Sequence, residues 1–148
     1  MIQDDLKLKG RLDIVVTSQD GEIKQKESVE NLVVTTGKSF VASRMAGSSA
    51  SVMSHMAIGT DNTAAAASDT GLGSESARVA LTSTTVNNND VVYVASFTAG
   101  TPSSAAVITE AGIFNASSGG TMLCHTVFGS ISKGTSDSLT ITWTVSAS

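Results

Sequence analysis

The sequence has few charged and few aromatic side chains: 15% of its 148 residues are Asp, Glu, Lys or Arg, and 4% are aromatic. The formal net charge is -4, and most of the basic residues come before position 45. Because binding to nucleic acid requires clustered Lys and Arg, nucleic acid is not an expected partner. Much of the surface must consist of hydroxyl and amide groups, which cost less to bury against a partner than ions do.

Cysteine and long apolar runs are also scarce. The single cysteine, Cys124, excludes an internal disulfide framework, and its apolar neighbours predict a small core residue. The N-terminal residues lack the basic and apolar regions of a secretory signal. No apolar run has the length of a membrane span. We therefore expect a protein that is made in a cytoplasm and has no membrane partner.

Small and β-branched residues are abundant, and they favour strands. Leu12, Ile14 and Val16 alternate with polar residues, Asp20-Gly21 predicts a hairpin turn, and the charged return strand 22–31 is typical of a sheet edge. Further strands are predicted at 55–59, 78–84, 91–97, 106–114, 122–128 and 139–145. The pattern predicts one mainly β domain over residues 1–148, built as an antiparallel sandwich, a jelly-roll-like fold or a barrel with one short helix.

The one helix is predicted between residues 35 and 47. Thr35 or Thr36 can cap its start, and Gly47 can end it. The string Thr36-Gly37-Lys38-Ser39 is similar to part of a phosphate-binding loop. That loop also needs a glycine five residues before the Gly-Lys pair, where this chain has Leu32, so the motif is excluded.

We expect no enzyme, no cofactor and no catalytic or metal-binding set. His55 and His125 have no second His or Cys at the spacing of a metal site. His125 follows Cys124 directly, and neighbouring strand residues point to opposite faces of a sheet. A calcium ion in the 61–69 loop stays open as an alternative, because hard cations bind loop oxygens.

Three residues are predicted to have structural roles. Trp143 lies on the apolar face of the last strand and is expected in the core. Glu110 interrupts an apolar strand, so it either points outward or is an interior carboxylate that pairs with Arg78 and sets the register of the sheet.

The segment 60–75 is predicted to be a long loop, and such loops are commonly functional.

From Val52 onward the chain resembles a group of tailed-bacteriophage virion proteins. The residues that carry the resemblance are His55-Met56-Ala57-Ile58-Gly59-Thr60, 64–70, Leu72-Gly73-Ser74-Glu75, Arg78-Val79-Ala80, 108–115 and 138–145, with 30–34 and Gly37 in the front part. The resemblance covers nearly the whole chain and is a pattern of strand and turn residues. It implies a virion structural protein of the capsid cement, or decoration, type.

A protein of this type is made in the host cytoplasm, lies on the capsid surface and clamps neighbouring major capsid subunits. Its implied partners are that lattice and further copies of itself, as a dimer or trimer. A tail or head fibre or collar protein, with receptor- or glycan-binding loop tips, stays open, although no long repetitive shaft is visible. Partner contacts are expected from an N-terminal arm, residues 1–6, and from the long loop, namely from Met1, Ile2, Leu6, Asp61, Asn62, Asp69, Leu72 and Glu75.

Overall fold

The structure is a computed structural model and describes residues 7–147. The strands are β1 (Leu8–Thr17), β2 (Ile23–Val33), β3 (His55–Gly59), β4 (Glu75–Ala80), β5 (Ser83–Asn87), β6 (Asp90–Phe97), β7 (Ala106–Phe114), β8 (Met122–Lys133) and β9 (Ser138–Ala147). The helix α1 (Thr35–Met45) follows β2. The expected arm contacts Met1, Ile2 and Leu6 lie outside the described residues.

All nine strands belong to one hydrogen-bonded antiparallel sheet in the order β4-β3-β7-β8-β2-β1-β9-β6-β5. The sheet curls into a half-barrel. Strand β2 joins its two halves, since it pairs with β1 along most of its length but with β8 only at Leu32 and Val33. The expected fold class, mainly β and antiparallel with one short helix, is confirmed for residues 7–147.

The core lies on the inner face of the curled sheet. Leu12, Ile14 and Val16 of β1 are almost completely buried, and Leu12 pairs with Trp143 of β9, which has no exposed surface. This confirms the period-two pattern of both strands and the core position of Trp143. The alternation arises because successive side chains of a strand point to opposite faces.

Strand β7 is buried on both faces. Ile113 packs into the main core, whereas Phe114 belongs to a second, smaller cluster with Val34, Ala57 and Met122. This second cluster lies on the opposite face of β7 because adjacent strand residues face opposite ways. The face of β7 away from the main core is therefore covered as well.

The turn at Asp20-Gly21 is confirmed. Gly21 has a φ of 87°, a left-handed conformation that glycine adopts at no steric cost, and its N–H donates to the Ser18 carbonyl over 3.0 Å. The edge character of β2 is confirmed for its charged part, since only the final residues of β2 pair with β8.

The predicted cap of α1 is wrong, whereas its end is confirmed. No side chain caps the first turn; the Thr36 hydroxyl instead donates to the Met122 carbonyl of β8, and the Thr35 N–H donates to the Ala67 carbonyl over 2.8 Å. The helix start is thus satisfied by tertiary contacts. At the other end Gly47 has a φ of 76° and its N–H donates to Arg44, as expected of a terminating glycine.

The single strand predicted over 78–84 is wrong. The segment divides between β4 and β5, which lie at opposite edges of the sheet. Leu81 and Thr82 connect β4 to β5 across the sheet, and their N–H groups donate to the carbonyls of Ser54 and Val94, respectively. A crossing this short requires the curl of the sheet, because only the curl brings β4 near β6.

Candidate interaction site

Residues 60–74 connect β3 to β4 and form the long loop expected from the composition. Loops of this length are held in compact domains by their own polar contacts. Here the contacts are made to β7, β8 and α1, and they are described in turn below.

Glu110 of β7 holds both ends of the loop. Its side chain has no exposed surface. Its Oε1 accepts the Gly73 N–H over 2.9 Å, and its Oε2 accepts the N–H groups of Ser74 and Asp61 over 2.8 and 3.1 Å. Hydrogen bonds to an ionised acceptor are stronger than neutral ones. One carboxylate therefore holds the first and last residues of the loop close together.

Two glycines make this close approach of the chain possible. A Cβ at Gly59 would come within 2.5 Å of the Glu110 carboxylate oxygen and would also collide with the Ser74 carbonyl. A Cβ at Gly73 would overlap the Asp61 carboxylate. Glycine is therefore required at both positions by close packing.

His125 of β8 links Glu110 to the middle of the loop. Its Nε2 lies 3.0 Å from Glu110 Oε1, and its Nδ1 lies 2.7 Å from Asp69 Oδ2. The residue is 4% exposed. An ionised carboxylate can only accept hydrogen bonds, so both contacts are hydrogen bonds when the ring carries a proton on each nitrogen.

The two carboxylates of the loop bind groups of the protein itself. The N–H of Ala66 and then His125 hold the pKa of Asp69 below its ordinary value, against the opposing effect of burial. The N–H and hydroxyl of Thr63 lower the pKa of Asp61 in the same way, at 3.0 and 2.9 Å from its Oδ1. Asp61 Oδ1 and Asp69 Oδ2 therefore bind donors of the protein itself.

The exposed surface of the loop therefore carries small, uncharged side chains. They are those of Asn62, Thr63, Ala64, Ala66, Ala67, Ser68 and Thr70. The loop backbone is fixed at two further points. The Ala67 carbonyl accepts the Thr35 N–H of α1, and the Asp61 carbonyl accepts the Thr109 hydroxyl over 2.9 Å. The most exposed side chains of the loop are thus polar or small and carry no charge, on a well-anchored backbone.

The predicted pairing of Glu110 with Arg78 is wrong, although Glu110 is the interior carboxylate that was one of the two alternatives. Arg78 instead binds the Glu75 carboxylate, with Nη2 and Oε1 2.7 Å apart, and its guanidinium lies 3.8 Å from the centre of the Phe114 ring. The register explains the difference: Arg78 pairs with Ala57, which pairs with Gly112, and Gly112 lies two residues along β7 from Glu110.

The expected contact residues of the loop divide into two groups. Asn62 and Glu75 are exposed, whereas Asp61 and Asp69 are half-buried and Leu72 packs against the second cluster. His125 was not singled out from the sequence. The available signal was the pair of ionisable residues, Glu110 and His125, in two otherwise apolar strands.

The site offers little to acid–base or nucleophilic chemistry in the described residues. Both nitrogens of His125 contact carboxylates, so neither is free to accept a proton from a substrate. Burial raises the pKa of the Cys124 thiol to about 12, which leaves no thiolate nucleophile near neutral pH. Within residues 7–147 no group of three His, Cys, Asp or Glu is placed to hold a metal ion.

No helix in the described part of the chain has the length and apolar character needed to cross a membrane. Comparisons of the chain with protein-family models, with curated proteins and with solved structures found no match in any of the three.

Proposed function

We propose that this chain is a non-enzymatic structural protein of a tailed-phage virion, a capsid decoration protein that clamps neighbouring major capsid subunits from outside the head. The observation that carries the proposal is the 60–74 loop: Glu110 binds its backbone, His125 contacts its Asp69 side chain, and its most exposed side chains are small and uncharged. The class of partner comes from the resemblance of the sequence to phage virion proteins.

An anchored loop suits repeated docking on a lattice. Because its backbone is ordered before binding, the association loses less conformational entropy. Because the most exposed side chains of the loop carry no charge, burying those side chains requires no desolvation of ions. A protein that binds only the assembled lattice stabilises that lattice by mass action, and many copies add their contacts.

Several of the segments that carry the sequence resemblance come together at this loop, whereas 138–145 lies in β9, in the other half of the sheet. The segment 55–60 forms β3 and enters the loop, Leu72-Gly73-Ser74-Glu75 leaves it, and 108–115 contains Glu110. Segments far apart in sequence thus serve one structural feature. This supports the view that the resemblance concerns the loop and its anchor.

Co-sedimentation with expanded heads tests the proposal. Purified protein is mixed with heads of the tailed phage that carries its gene, prepared without this protein, and the bound fraction is measured. Wild type should bind, and Ala64→Arg should weaken binding roughly tenfold or more, since an Arg on the contact surface adds both bulk and an ion to desolvate.

Ala99→Arg is the matched control, because Ala99 is also exposed but lies in the β6–β7 connection. It should bind as wild type does. Wild type that stays in the supernatant would refute the capsid role, and equal losses in both variants would refute the loop as the contact. Gold-labelled antibody at the tail or neck of virions, with bare heads, would support the fibre or collar alternative instead.

A further inference from the structure

Strand β5 (Ser83–Asn87) forms an open edge of the sheet. It pairs with β6 on one side, and among the described residues no strand pairs with its other side. All of its side chains are exposed, including Val86 at 72%. The whole segment 81–89 contains no charged residue. An edge strand of this kind is a template for pairing with another strand.

Two other open edges of this sheet are charged. Strand β4 at the opposite edge carries Glu75 and Arg78. The part of β2 that does not pair with β8 carries Lys24, Lys26, Glu27 and Glu30. Charged side chains discourage the pairing of an edge with a foreign strand. Strand β5 lacks this protection over its full length, so its outer side is available to another strand.

The geometry of β5 favours an added strand. In an antiparallel pair every second residue directs its N–H and C=O away from the partner strand, so β5 offers such groups along its outer side. Thr84 pairs with the buried Tyr93, and Val86 pairs with Val91, which packs against the core. Val86 thus lies on the core face of the sheet but beyond the core, where a further strand would cover it.

We propose that β5 pairs antiparallel with β5 of a second copy of this chain, about a twofold axis near Thr85. In a twofold contact the same surface meets itself, so each side chain faces a chemically similar one. A charged edge would place like charges together there, whereas the Ser, Thr, Val and Asn residues of β5 do not repel each other. With a net charge of -4, the chain can approach a second copy most easily through an uncharged segment.

In the resulting dimer one sheet continues across both copies, and main-chain hydrogen bonds between the two β5 strands hold the copies together. This inference does not depend on the capsid role, because it concerns the free protein in solution. The two proposals can therefore fail separately. If the protein does not bind heads, the dimer proposal still stands, and if the protein is a monomer in solution, the capsid proposal still stands.

The test is sedimentation velocity of the purified chain at about 100 μM, where a complex with micromolar Kd is largely formed. Wild type should sediment as a dimer. Thr85→Lys and Thr85→Glu should each sediment as monomers, because each places like charges near the twofold axis, while Thr135→Lys, at an exposed turn position, should remain a dimer. Circular dichroism checks that each variant is folded.

Mixing Thr85→Lys with Thr85→Glu gives the decisive result. If Thr85 lies near Thr85 of the second copy, the mixture should recover dimers that dissociate at high salt, since the opposite charges are then paired across the axis. A monomeric or trimeric wild type would overturn the proposal. So would a dimer that survives both Thr85 substitutions, or a mixture that stays monomeric when the two variants alone are folded.

Discussion

Replacing Glu110 by Gln should release the 60–74 loop while leaving the sheet folded. The substitution keeps the size of the side chain and removes its charge. Glu110 accepts the backbone N–H groups of Asp61, Gly73 and Ser74 and contacts His125 Nε2, so each of its oxygens has two partners. The glutamine amide has only one acceptor oxygen, and its NH₂ group takes the place of the other. At least one loop N–H therefore loses its acceptor.

The magnitude follows from these bonds. A buried hydrogen bond to a charged group contributes about 1.5–3 kcal/mol, and a neutral one about 1 kcal/mol. The lost bond and the weakening of those that remain together amount to about 3–5 kcal/mol in the free energy of loop opening. Since 1.4 kcal/mol is a factor of ten, the loop should open at least about 100-fold more often.

Hydrogen exchange followed by mass spectrometry measures this opening directly. Peptides from 60–74 should exchange at least about 100-fold faster in Glu110→Gln, whereas peptides from β1 and β9 should change much less, because the loop can open without unfolding the sheet. Glu22→Gln is the control: it removes the same charge from an exposed hairpin residue and should leave the exchange of the loop unchanged. A folded Glu110→Gln variant with unaltered exchange in 60–74 would refute the anchoring role of Glu110.

Two further predictions concern stability. Trp143→Ala should lower the free energy of unfolding by about 3–5 kcal/mol in urea titrations, because it empties the centre of the core, while Thr144→Ala on the outer side of the same strand should change it by less than about 1 kcal/mol; similar losses in both would contradict the described core. Acid should destabilise the loop, since the pKa values of Asp61 and Asp69 are lowered in the folded chain: their contribution is complete above their ordinary value of 3.8 and is lost as the pH falls through the lower folded values. Exchange of the 60–74 peptides between pH 5 and pH 2, corrected for intrinsic rates, should therefore show more frequent opening on acidification, and Asp69→Asn should show a smaller change; a loop that closes more tightly in acid would contradict this.

The sequence by itself determined the local features of the chain. The alternation in Leu12, Ile14 and Val16 and around Trp143 predicted which face of each strand is buried. Asp20-Gly21 predicted a turn, and Gly47 predicted the end of α1. These features depend on the periodicity of a strand and on the conformations that single residues allow, and both are properties of neighbouring residues along the chain.

Tertiary structure alone decided the partners. The segment 78–84 has the composition of one strand, yet it serves two edges of the sheet because the sheet curls. Glu110 could be recognised as unusual, but its contacts with His125 and with the loop depend on which strands are neighbours and in which register they pair. Residues far apart in sequence meet only when the strand order and register are set, and a pattern along one strand carries no information about the residue opposite.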